Sequence, residues 1–267
     1  MTEKITFSFG KNWQSFLRLL DEDRIKNAKL SLTEIFELTD FQNISFLDIG
    51  CGSGLFSYAA YLLGAKKIVS FDVDHYSVLS CRYFHKLEKY PEYWKIYEES
   101  ILDEQVIDKF GKFDIVYSFG VLHHTGQMWK AIRNAAKFVK NGGYFFIAIY
   151  NKLEGFNGSD NWLKVKKLYN SSPKILKILF EIQLTLNFIG SSIMRFKNPL
   201  REIINYKKRR GMNFLVDVRD SLGGYPYEYA TIKEITRFMK LNFPNFKLLK
   251  VKESPGLGNN WYLFKRD

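Results

Sequence analysis

The chain has 267 residues, of which 46% are hydrophobic and 17% aromatic, so it can bury a sizeable core and is not disordered. Two cysteines, Cys51 and Cys81, are too few for a disulfide scaffold and indicate a reducing, cytoplasmic setting. The first six residues hold no apolar run, so we expect no secretory signal. The charge of +12 is uneven: residues 1–150 hold 18 basic and 18 acidic side chains, whereas residues 151–267 hold 22 and 10.

Short apolar runs alternate with helical patterns between residues 44 and 150. The predicted strands are Ile44–Ile49, Lys67–Phe71, Trp94–Glu98, Phe113–Ser118 and Tyr144–Tyr150. The predicted helices between them are Leu55–Leu63, His75–Lys86, Asp103–Phe110 and Met128–Val139. A turn is predicted at Asn141-Gly142-Gly143. This alternation predicts an α/β fold with a doubly wound, mostly parallel sheet.

The alternation stops after Tyr150 and resumes near residue 231. Helices are predicted at about Trp162–Tyr169, Lys174–Met194 and Ile232–Leu241, and strands near Phe246–Val251 and Trp261–Lys265. These strands bring the sheet to seven. We therefore expect an N-terminal helical lid (1–40), an α/β core (41–150), a helical cap inserted after the fifth strand (151–222) and a C-terminal completion of the core (223–267).

Helix Lys174–Met194 is apolar enough to raise the question of a membrane. Its only charge between residues 178 and 194 is Glu181, but polar residues interrupt the run at Gln183, Thr185, Asn187, Ser191 and Ser192. A membrane-spanning helix needs about 20 mostly apolar residues. The favoured interpretation is a helix buried in the cap or in a subunit interface, as in a homodimer, and peripheral membrane contact is the alternative.

The strongest local signal is the run Asp48-Ile49-Gly50-Cys51-Gly52-Ser53-Gly54, which links a predicted strand to a predicted helix. Glycine permits positive φ and lets a ligand approach the backbone closely. The spacing is G-x-G-x-G with an acid two residues earlier, unlike the G-x-G-x-x-G of dinucleotide folds. The Lys-Ser/Thr pair of nucleoside triphosphate sites does not follow it.

This loop resembles the signature of class I S-adenosylmethionine-dependent methyltransferases. The wider resemblance to that family covers roughly residues 44–150 and the closing strands. The resemblance implies S-adenosyl-L-methionine as the cofactor, with Asp48 acting on its amino group, often through water. The loop positions that it assigns to the methionine part are Gly50, Cys51, Gly52 and Gly54. Asp72 closes the second strand and matches the ribose ligand, with Val73 beside it, whereas Asp74 is better explained as a helix N-cap.

Further cofactor contacts are implied at the ends of later strands. The family's adenine contacts follow the third strand, at Ser100 and Ile101, although an ordinary strand end is the alternative. The fourth strand brings Ser118 and Phe119 to the same edge. Trp13, in the N-terminal segment, is expected to fold over the cofactor, and plain helix packing is the alternative.

The loop after the fourth strand contains His123 and His124 and lacks the N/D-P-P-Y/F sequence of enzymes that methylate bases or amide nitrogens. A histidine titrates near working pH and suits removal of a hydroxyl proton. Adjacent side chains diverge, so we expect one general base and favour His124. The alternative, that both histidines only line the pocket, stays open. We expect no metal site, because no carboxylate cluster lies nearby.

A narrower resemblance, to bacterial small-molecule methyltransferases of sugar, polysaccharide and natural-product pathways, involves residues 7–13, 120–126 and 223–228. It favours O-methylation of a small anionic acceptor such as a sugar or polysaccharide precursor. RNA or a quinone-like lipid as acceptor, and a binding protein without turnover, are the alternatives. The candidate acceptor-binding residues are Tyr150, Asn151, Arg209, Arg210, Tyr225, Tyr227 and Glu228.

The basic excess includes a run from residue 195 to 210, with seven Lys and Arg against Glu202 alone. A solvated face is the simplest explanation of such a run. The alternatives are a site for the phosphates of an activated sugar, an anionic membrane surface, or RNA backbone. We expect no nucleic-acid partner, because no stacking platform or added RNA-binding module is recognisable.

Overall fold

Seven strands form one sheet in this computed structural model, which describes residues 21–206 and 214–267. The strands are β1 (Ser45–Ile49), β2 (Lys67–Asp72), β3 (Trp94–Glu98), β4 (Phe113–Phe119), β5 (Val139–Tyr150), β6 (Phe246–Lys252) and β7 (Asn259–Arg266). Their order is β3-β2-β1-β4-β5-β7-β6. Strands β1 to β5 pair in parallel, and β7 is antiparallel to both β5 and β6. The predicted fold class is therefore confirmed.

Helices cover both faces of the sheet and form an insertion after β5. They are α1 (Glu22–Phe36), α2 (Leu55–Leu62), α3 (His75–Leu87), α4 (Gln105–Phe110), α5 (Met128–Lys137), α6 (Ser159–Ser171), α7 (Lys174–Met194), α8 (Pro199–Ile204), α9 (Phe214–Gly223) and α10 (Ile232–Asn242). A 3₁₀ turn spans Leu122–His124. Helices α8 and α9 were not predicted, although α8 has start signals in Pro199 in its first turn and the Asn198 N-cap.

The segment before β5 differs from its prediction. Helix α5 ends at Lys137 rather than Val139, and β5 begins at Val139 rather than Tyr144. The predicted turn at residues 141–143 is instead an irregularity within the strand, because the register with β4 shifts there. Gly142 has φ +74°, and a Cβ on Gly143 would lie 2.9 Å from the Asp114 carbonyl oxygen. Glycine thus lets this strand bulge without ending.

The core consists of two apolar layers, one on each face of the sheet. Helices α4, α5 and α10 pack on one face, through Val106, Ala135 and Ile235 among others. Helices α1, α2 and α3 cover the other face. All five residues of β1 are buried, as expected for a parallel strand covered on both sides. Because β1, β2, β4 and β5 run parallel, their carboxyl ends lie at the same edge of the sheet, where ligands bind in such folds.

Helices α6 to α9 form the inserted cap, with a small core of its own. Its buried residues include Tyr169, Phe214, Val218 and Leu222. The expected burial of α7 within this cap is not found, since Ser192 alone of its 21 residues is buried. Among the described residues, α7 is the one helix long and apolar enough to cross a membrane by length and composition. The four-part division of the chain stays a prediction.

Candidate active site

The loop from Gly50 to Gly54 joins β1 to α2 in a conformation that requires glycine. Gly50, Gly52 and Gly54 have φ of +70°, +52° and +82°. A Cβ on Gly50 would lie 2.3 Å from Cγ1 of Val121, and one on Gly54 would lie 2.7 Å from Cα of Cys81. The loop is therefore packed against the segment after β4 on one side and against α3 on the other.

Asp48 is buried beneath this loop and is held by a chain of hydrogen bonds. The Ser57 hydroxyl donates to the carboxylate at 2.5 Å, the Ser70 hydroxyl donates to Ser57 at 2.7 Å, and the Trp94 indole donates to Ser70 at 2.9 Å. Burial raises the pKa of Asp48 to about 7, opposed by the Ser57 hydrogen bond and reinforced by the charge of Asp72. A cationic group close by would favour the ionised form.

Asp72 ends β2 with its carboxylate turned to the glycine loop. One oxygen accepts from the Gly52 amide at 3.0 Å, and the other accepts from the Asp74 amide at 2.9 Å. Burial raises its pKa to about 6, against the lowering effect of these amides. A carboxylate offers about four lone-pair positions, so Asp72 can still accept two hydroxyls. Asp74 caps α3 by accepting from the amides of Tyr76 and Ser77, as predicted.

The donors and acceptors at this edge fit S-adenosylmethionine, which joins an amino acid to a nucleoside without phosphate. Asp72 suits the ribose hydroxyls, and Asp48 suits the cationic amino group. The part of the chain that the structure describes holds no group of three or more His, Cys, Asp or Glu able to bind a metal.

The remaining predicted cofactor residues are spread along the same edge. Val73 is exposed just after Asp72, and Cys51 is buried, where contact with the Cys81 thiol and burial raise the pKa of its own thiol. The Ser100 hydroxyl accepts from the Leu102 amide at 3.2 Å. An ordinary strand end would show the same bond. The cofactor roles of Val73, Cys51 and Ser100 stay predictions.

Three further predicted contacts lie at the ends of β3 and β4. Ile101 is buried, and its carbonyl accepts from the Asn134 side chain at 2.9 Å. Ser118 is buried and donates to the Ile49 carbonyl at 3.1 Å, which ties β4 to β1 beside the glycine loop. Phe119 is partly exposed and stacks on Phe56, with ring centroids 6.1 Å apart. Trp13 lies outside the described residues.

His123 and His124 occupy the 3₁₀ turn after β4, where His123 is fully buried and His124 is half-buried. His124 Nδ1 lies 2.5 Å from the Pro226 carbonyl oxygen, so that nitrogen carries the proton and Nε2 holds the lone pair. His123 has the opposite tautomer, because its Nδ1 accepts from the Tyr150 amide at 3.3 Å. Its Nε2 is a buried donor with no hydrogen-bond partner among the described residues.

Burial keeps both imidazoles neutral at pH 7. It lowers the pKa of His124 to about 4, with the nearby Lys166 adding to the effect and the Pro226 hydrogen bond opposing it. The pKa of His123 falls well below its usual value, through burial and then through His124 and Lys166. The two rings are 4.5 Å apart, and the Tyr150 ring lies 4.0 Å from that of His123.

Lys166 on α6 is a buried cation at this site that the sequence analysis missed. Only 2% of the residue is exposed, and its Nζ donates to the Ser221 carbonyl. Burial lowers its pKa to about 7. A Cβ placed on Gly224 would lie 3.3 Å from both Lys166 Nζ and His124 Cε1, so the glycine lets these two side chains converge.

The predicted acceptor residues fall into two groups. Tyr150 and Tyr227 line the histidine cluster, with ring centroids 4.9 Å apart, and Tyr227 is buried beneath Lys166. Tyr225 is half-buried beside Pro226, one residue from the carbonyl that holds His124. Tyr150, Tyr227 and the two histidines therefore converge, and an acceptor role for Tyr225 stays a prediction.

Two other acceptor candidates are engaged in structural contacts. The Asn151 side chain donates to the Ser254 and Gly256 carbonyls, both at 3.4 Å, and accepts from Asn260 at 3.0 Å. The Glu228 carboxylate accepts from the Met128 amide at 2.9 Å and so caps the first turn of α5. Their acceptor roles stay predictions. Arg209 and Arg210 lie outside the described residues.

Residues 40–198 match a protein family described as a methyltransferase domain, and the chain belongs to that family. It is 28% identical over 136 residues to a ubiquinone biosynthesis O-methyltransferase of Pelagibacter ubique, covering 51% of this chain and 52% of the relative. It is 30% identical over 136 residues to a tRNA U34 carboxymethyltransferase of Campylobacter hominis, covering 51% and 41%. The match thus spans about half of each relative's length or less.

A solved structure shares the fold across nearly the whole chain. Magnesium protoporphyrin IX methyltransferase from Synechocystis PCC 6803, with bound SAH, superposes with a TM-score of 0.53 at 12% identity. The superposition covers 91% of this chain and 83% of that one. At this identity the likeness concerns the fold alone.

Proposed function

We propose that the chain transfers a methyl group from S-adenosylmethionine to a hydroxyl of a small acceptor. The observation that carries this proposal is the packing of Val121 against Gly50, which places the buried histidine turn directly beside the glycine loop. When bound, the cofactor supplies a methyl group on a sulfonium, and displacement in line with that group needs little covalent help from the protein. The protein's task is to position the acceptor and to take up its proton.

The cofactor side of the proposal depends on Asp48, Asp72 and the loop between them. Asp72 is fixed by two backbone amides and retains lone pairs for ribose hydroxyls. Asp48 is fixed by Ser57, so its ionised carboxylate is oriented to attract an ammonium group directly or through water. The positive φ values at Gly50 and Gly52 fix the turn of the loop that would hold the amino-acid part.

The acceptor side depends on the two histidines and Lys166. The Pro226 carbonyl keeps the ring proton of His124 on Nδ1, so Nε2 has a free lone pair. That lone pair takes the proton from the hydroxyl being methylated. His123 Nε2–H is a buried donor without a partner among the described residues, so an acceptor oxygen that entered beside it would accept its hydrogen bond. Lys166 near His124 attracts an acidic or ionised hydroxyl, since a buried amine gains most from an opposite charge. This arrangement supports the prediction of an anionic acceptor.

Two acceptor classes have separate support. A sugar or polysaccharide precursor is the class indicated by the narrower family resemblance. A phenolic, quinone-like acceptor is the second candidate, because the rings of Tyr150 and Tyr227 lie beside the histidines and could stack on an aromatic ring. The similarity to ubiquinone biosynthesis O-methyltransferases favours the same class.

The test is transfer of labelled methyl from S-adenosylmethionine to three panels: sugar nucleotides, hydroxylated aromatic compounds and tRNA. We expect incorporation into one of the first two panels. The substitution His124→Gln is expected to lower turnover at least about tenfold and to spare cofactor affinity. His85→Gln is the matched control, since His85 also contacts a proline carbonyl, that of Pro91, away from the site. Incorporation into tRNA alone, or into no panel, would contradict the small-acceptor proposal.

A further inference from the structure

Helix α7 has two faces of different character. Its inner face packs on the core of the cap through Phe180, Leu184 and Phe188. The same face carries Glu181, which accepts a hydrogen bond from the Tyr169 hydroxyl and forms an ion pair with Arg219 at 3.0 Å. This face therefore fixes α7 to the cap and turns its one acidic side chain away from the outer surface.

The outer face of α7 is a long apolar surface. Six exposed apolar residues lie along one side of the helix, at Ile175, Ile178, Leu179, Ile182, Leu186 and Ile193. Exposed Leu176, Gln183 and Asn187 border this side. A helix of 21 residues is about 32 Å long, so the surface extends well beyond a single side chain. Exposed apolar residues continue at Met194, the last residue of α7, at Phe196 just after it, and at Leu200 and Ile204 in α8. We refer to these four residues and the first six together as the outer face.

The part of the outer face on α7 carries no charge, and the residues beside its two ends are mostly basic. No charged residue between 178 and 194 other than Glu181 occurs in the sequence. Lys174 precedes the face, and Arg195, Lys197 and Arg201 lie exposed beside its far end. Glu202 pairs with Arg195 and Lys197 at 3.8 Å and is the only acid between residues 182 and 206. The segment 151–222 has 14 Lys and Arg against 6 Asp and Glu.

Phe196 gives independent support for a role of this face. It is fully exposed and has φ +55° just past the end of α7. The amides of Phe196 and Lys197 donate to the carbonyls of Ile193 and Ser192, which is the pattern of a helix ending that normally has glycine at the Phe196 position. A residue with a side chain rarely adopts this conformation, because its Cβ crowds the following carbonyl oxygen. The chain thus presents an aromatic ring to the outside at a conformational cost.

We propose that the outer face docks on the surface of a bilayer containing anionic lipid, with α7 lying parallel to the membrane plane. Apolar residues along one side, basic residues at the ends and an exposed aromatic ring are features of helices that bind at the lipid headgroup boundary. The contacts of Phe180 and Leu184 with the cap hold the helix against the protein, so it lies on the membrane rather than across it.

Charge also decides between a membrane and a second copy of the chain as the occupant of the outer face. A symmetric dimer through this face would bring the basic ends of two copies together, because the same patch meets itself. An anionic lipid surface instead attracts each of these cations. This inference does not depend on the proposed catalytic activity, since α7 contributes no residue to the histidine cluster.

The experiment is co-sedimentation of the full chain with vesicles of phosphatidylcholine alone and of phosphatidylcholine mixed with phosphatidylglycerol. We expect the chain to pellet with the mixed vesicles and to be released by salt. The double substitution Leu179→Gln/Leu186→Gln is expected to weaken pelleting about tenfold or more, because both leucines leave water on docking. Leu241→Gln, at an exposed leucine of α10 outside the outer face, is the matched control and should pellet like the wild type.

A second substitution, Arg201→Glu, separates charge from apolar contact. It should weaken pelleting with mixed vesicles, since one attraction becomes a repulsion. Each variant is first checked for an unchanged circular dichroism spectrum and unchanged S-adenosylhomocysteine binding. Wild-type chain that stays in the supernatant with both vesicle types would overturn the proposal. So would a wild-type dimer in light scattering that the double substitution dissociates, because the outer face would then be a subunit interface.

Discussion

Lys166 Nζ lies 5.0 Å above the centre of the Tyr227 ring, in a part of the cap where the lysine is almost wholly buried. Its pKa of about 7 follows mainly from that burial and is opposed by the charge of Asp220. The amine therefore changes charge near neutral pH, next to two histidines that stay neutral there. The contact between Lys166 and Tyr227 therefore joins a residue that affects the stability of the cap to the candidate acceptor site.

Replacing Lys166 with Met should flatten the pH dependence of stability. Between pH 7 and about 10, the unfolded chain binds a proton at Lys166 that the folded chain does not, so the free energy of unfolding rises with pH in that window. Across this pH window, the free energy of unfolding should increase by a few kcal/mol more in the wild type than in Lys166→Met. Urea titrations at several pH values measure this. Lys167→Met, at an exposed neighbour, should behave as wild type, and parallel wild-type and Lys166→Met curves would contradict the assignment.

Cofactor affinity should rise with pH between about 5 and 8. Asp72 and Asp48 have pKa values of about 6 and 7 in the unliganded chain, so both are partly protonated at lower pH. Only the ionised carboxylates attract the ammonium group and accept both ribose hydroxyls fully, so binding releases protons in this window. Calorimetry of S-adenosylhomocysteine in buffers of different ionisation enthalpy counts those protons. An affinity that is flat from pH 5 to 8, with no proton release, would refute this account of the two carboxylates.

Gly50→Ala should abolish cofactor binding, whereas Gly142→Ala should leave it intact. Both positions have φ above +60°, so each alanine costs about 1–2 kcal/mol in backbone strain. Only the alanine at Gly50 also meets Val121, at 2.3 Å, whereas nothing lies within 4 Å of a Cβ on Gly142. Thermal unfolding and S-adenosylhomocysteine titration distinguish the two effects. Adding Val121→Ala to Gly50→Ala should recover part of the affinity, and equal affinity losses in both single variants would contradict the steric argument.

Ser57→Ala should weaken cofactor binding about tenfold, although Ser57 is expected to touch no ligand. Its hydroxyl is the donor, at 2.5 Å, that orients Asp48 and favours the ionised carboxylate. Without it, the pKa of Asp48 rises further and the pH dependence of affinity shifts upward. Ser80→Ala removes another buried hydroxyl, one that donates to the Tyr76 carbonyl within α3, and should leave affinity unchanged. An unshifted pH profile in Ser57→Ala would show that the serine only fills space.

The glycine loop and the two acids of the candidate cofactor site could be located from the sequence because their signals are local. An apolar run, three alternate glycines and an acid at the end of the next strand all lie within residues 46–72. The tautomers of His123 and His124 could not be predicted, because they depend on Tyr150 and Pro226. Those partners are 27 and 102 residues away along the chain.

The burial of Lys166 is the feature of the candidate site that was least predictable from the sequence. It lies among Lys164 and Lys167 in one helix, and each of the three would be expected to face solvent. Lys166 alone is buried, because it contacts Ser221 and Tyr227 from segments more than 50 residues later. Burial of α7 within the cap was predicted wrongly, because the sequence of an apolar helix does not show which of its faces the chain covers. Burial in a subunit interface stays a prediction.

Calorimetric titration of S-adenosylhomocysteine into the wild type and Asp72→Asn tests the central claim most directly. We predict one ligand per wild-type chain and an affinity about tenfold to a hundredfold lower in Asp72→Asn, because the lost charge weakens the hydrogen bonds to the ribose hydroxyls. Folded wild-type chain that binds neither S-adenosylhomocysteine nor S-adenosylmethionine, or binds them unchanged in Asp72→Asn, would contradict the assignment of this edge as the cofactor site.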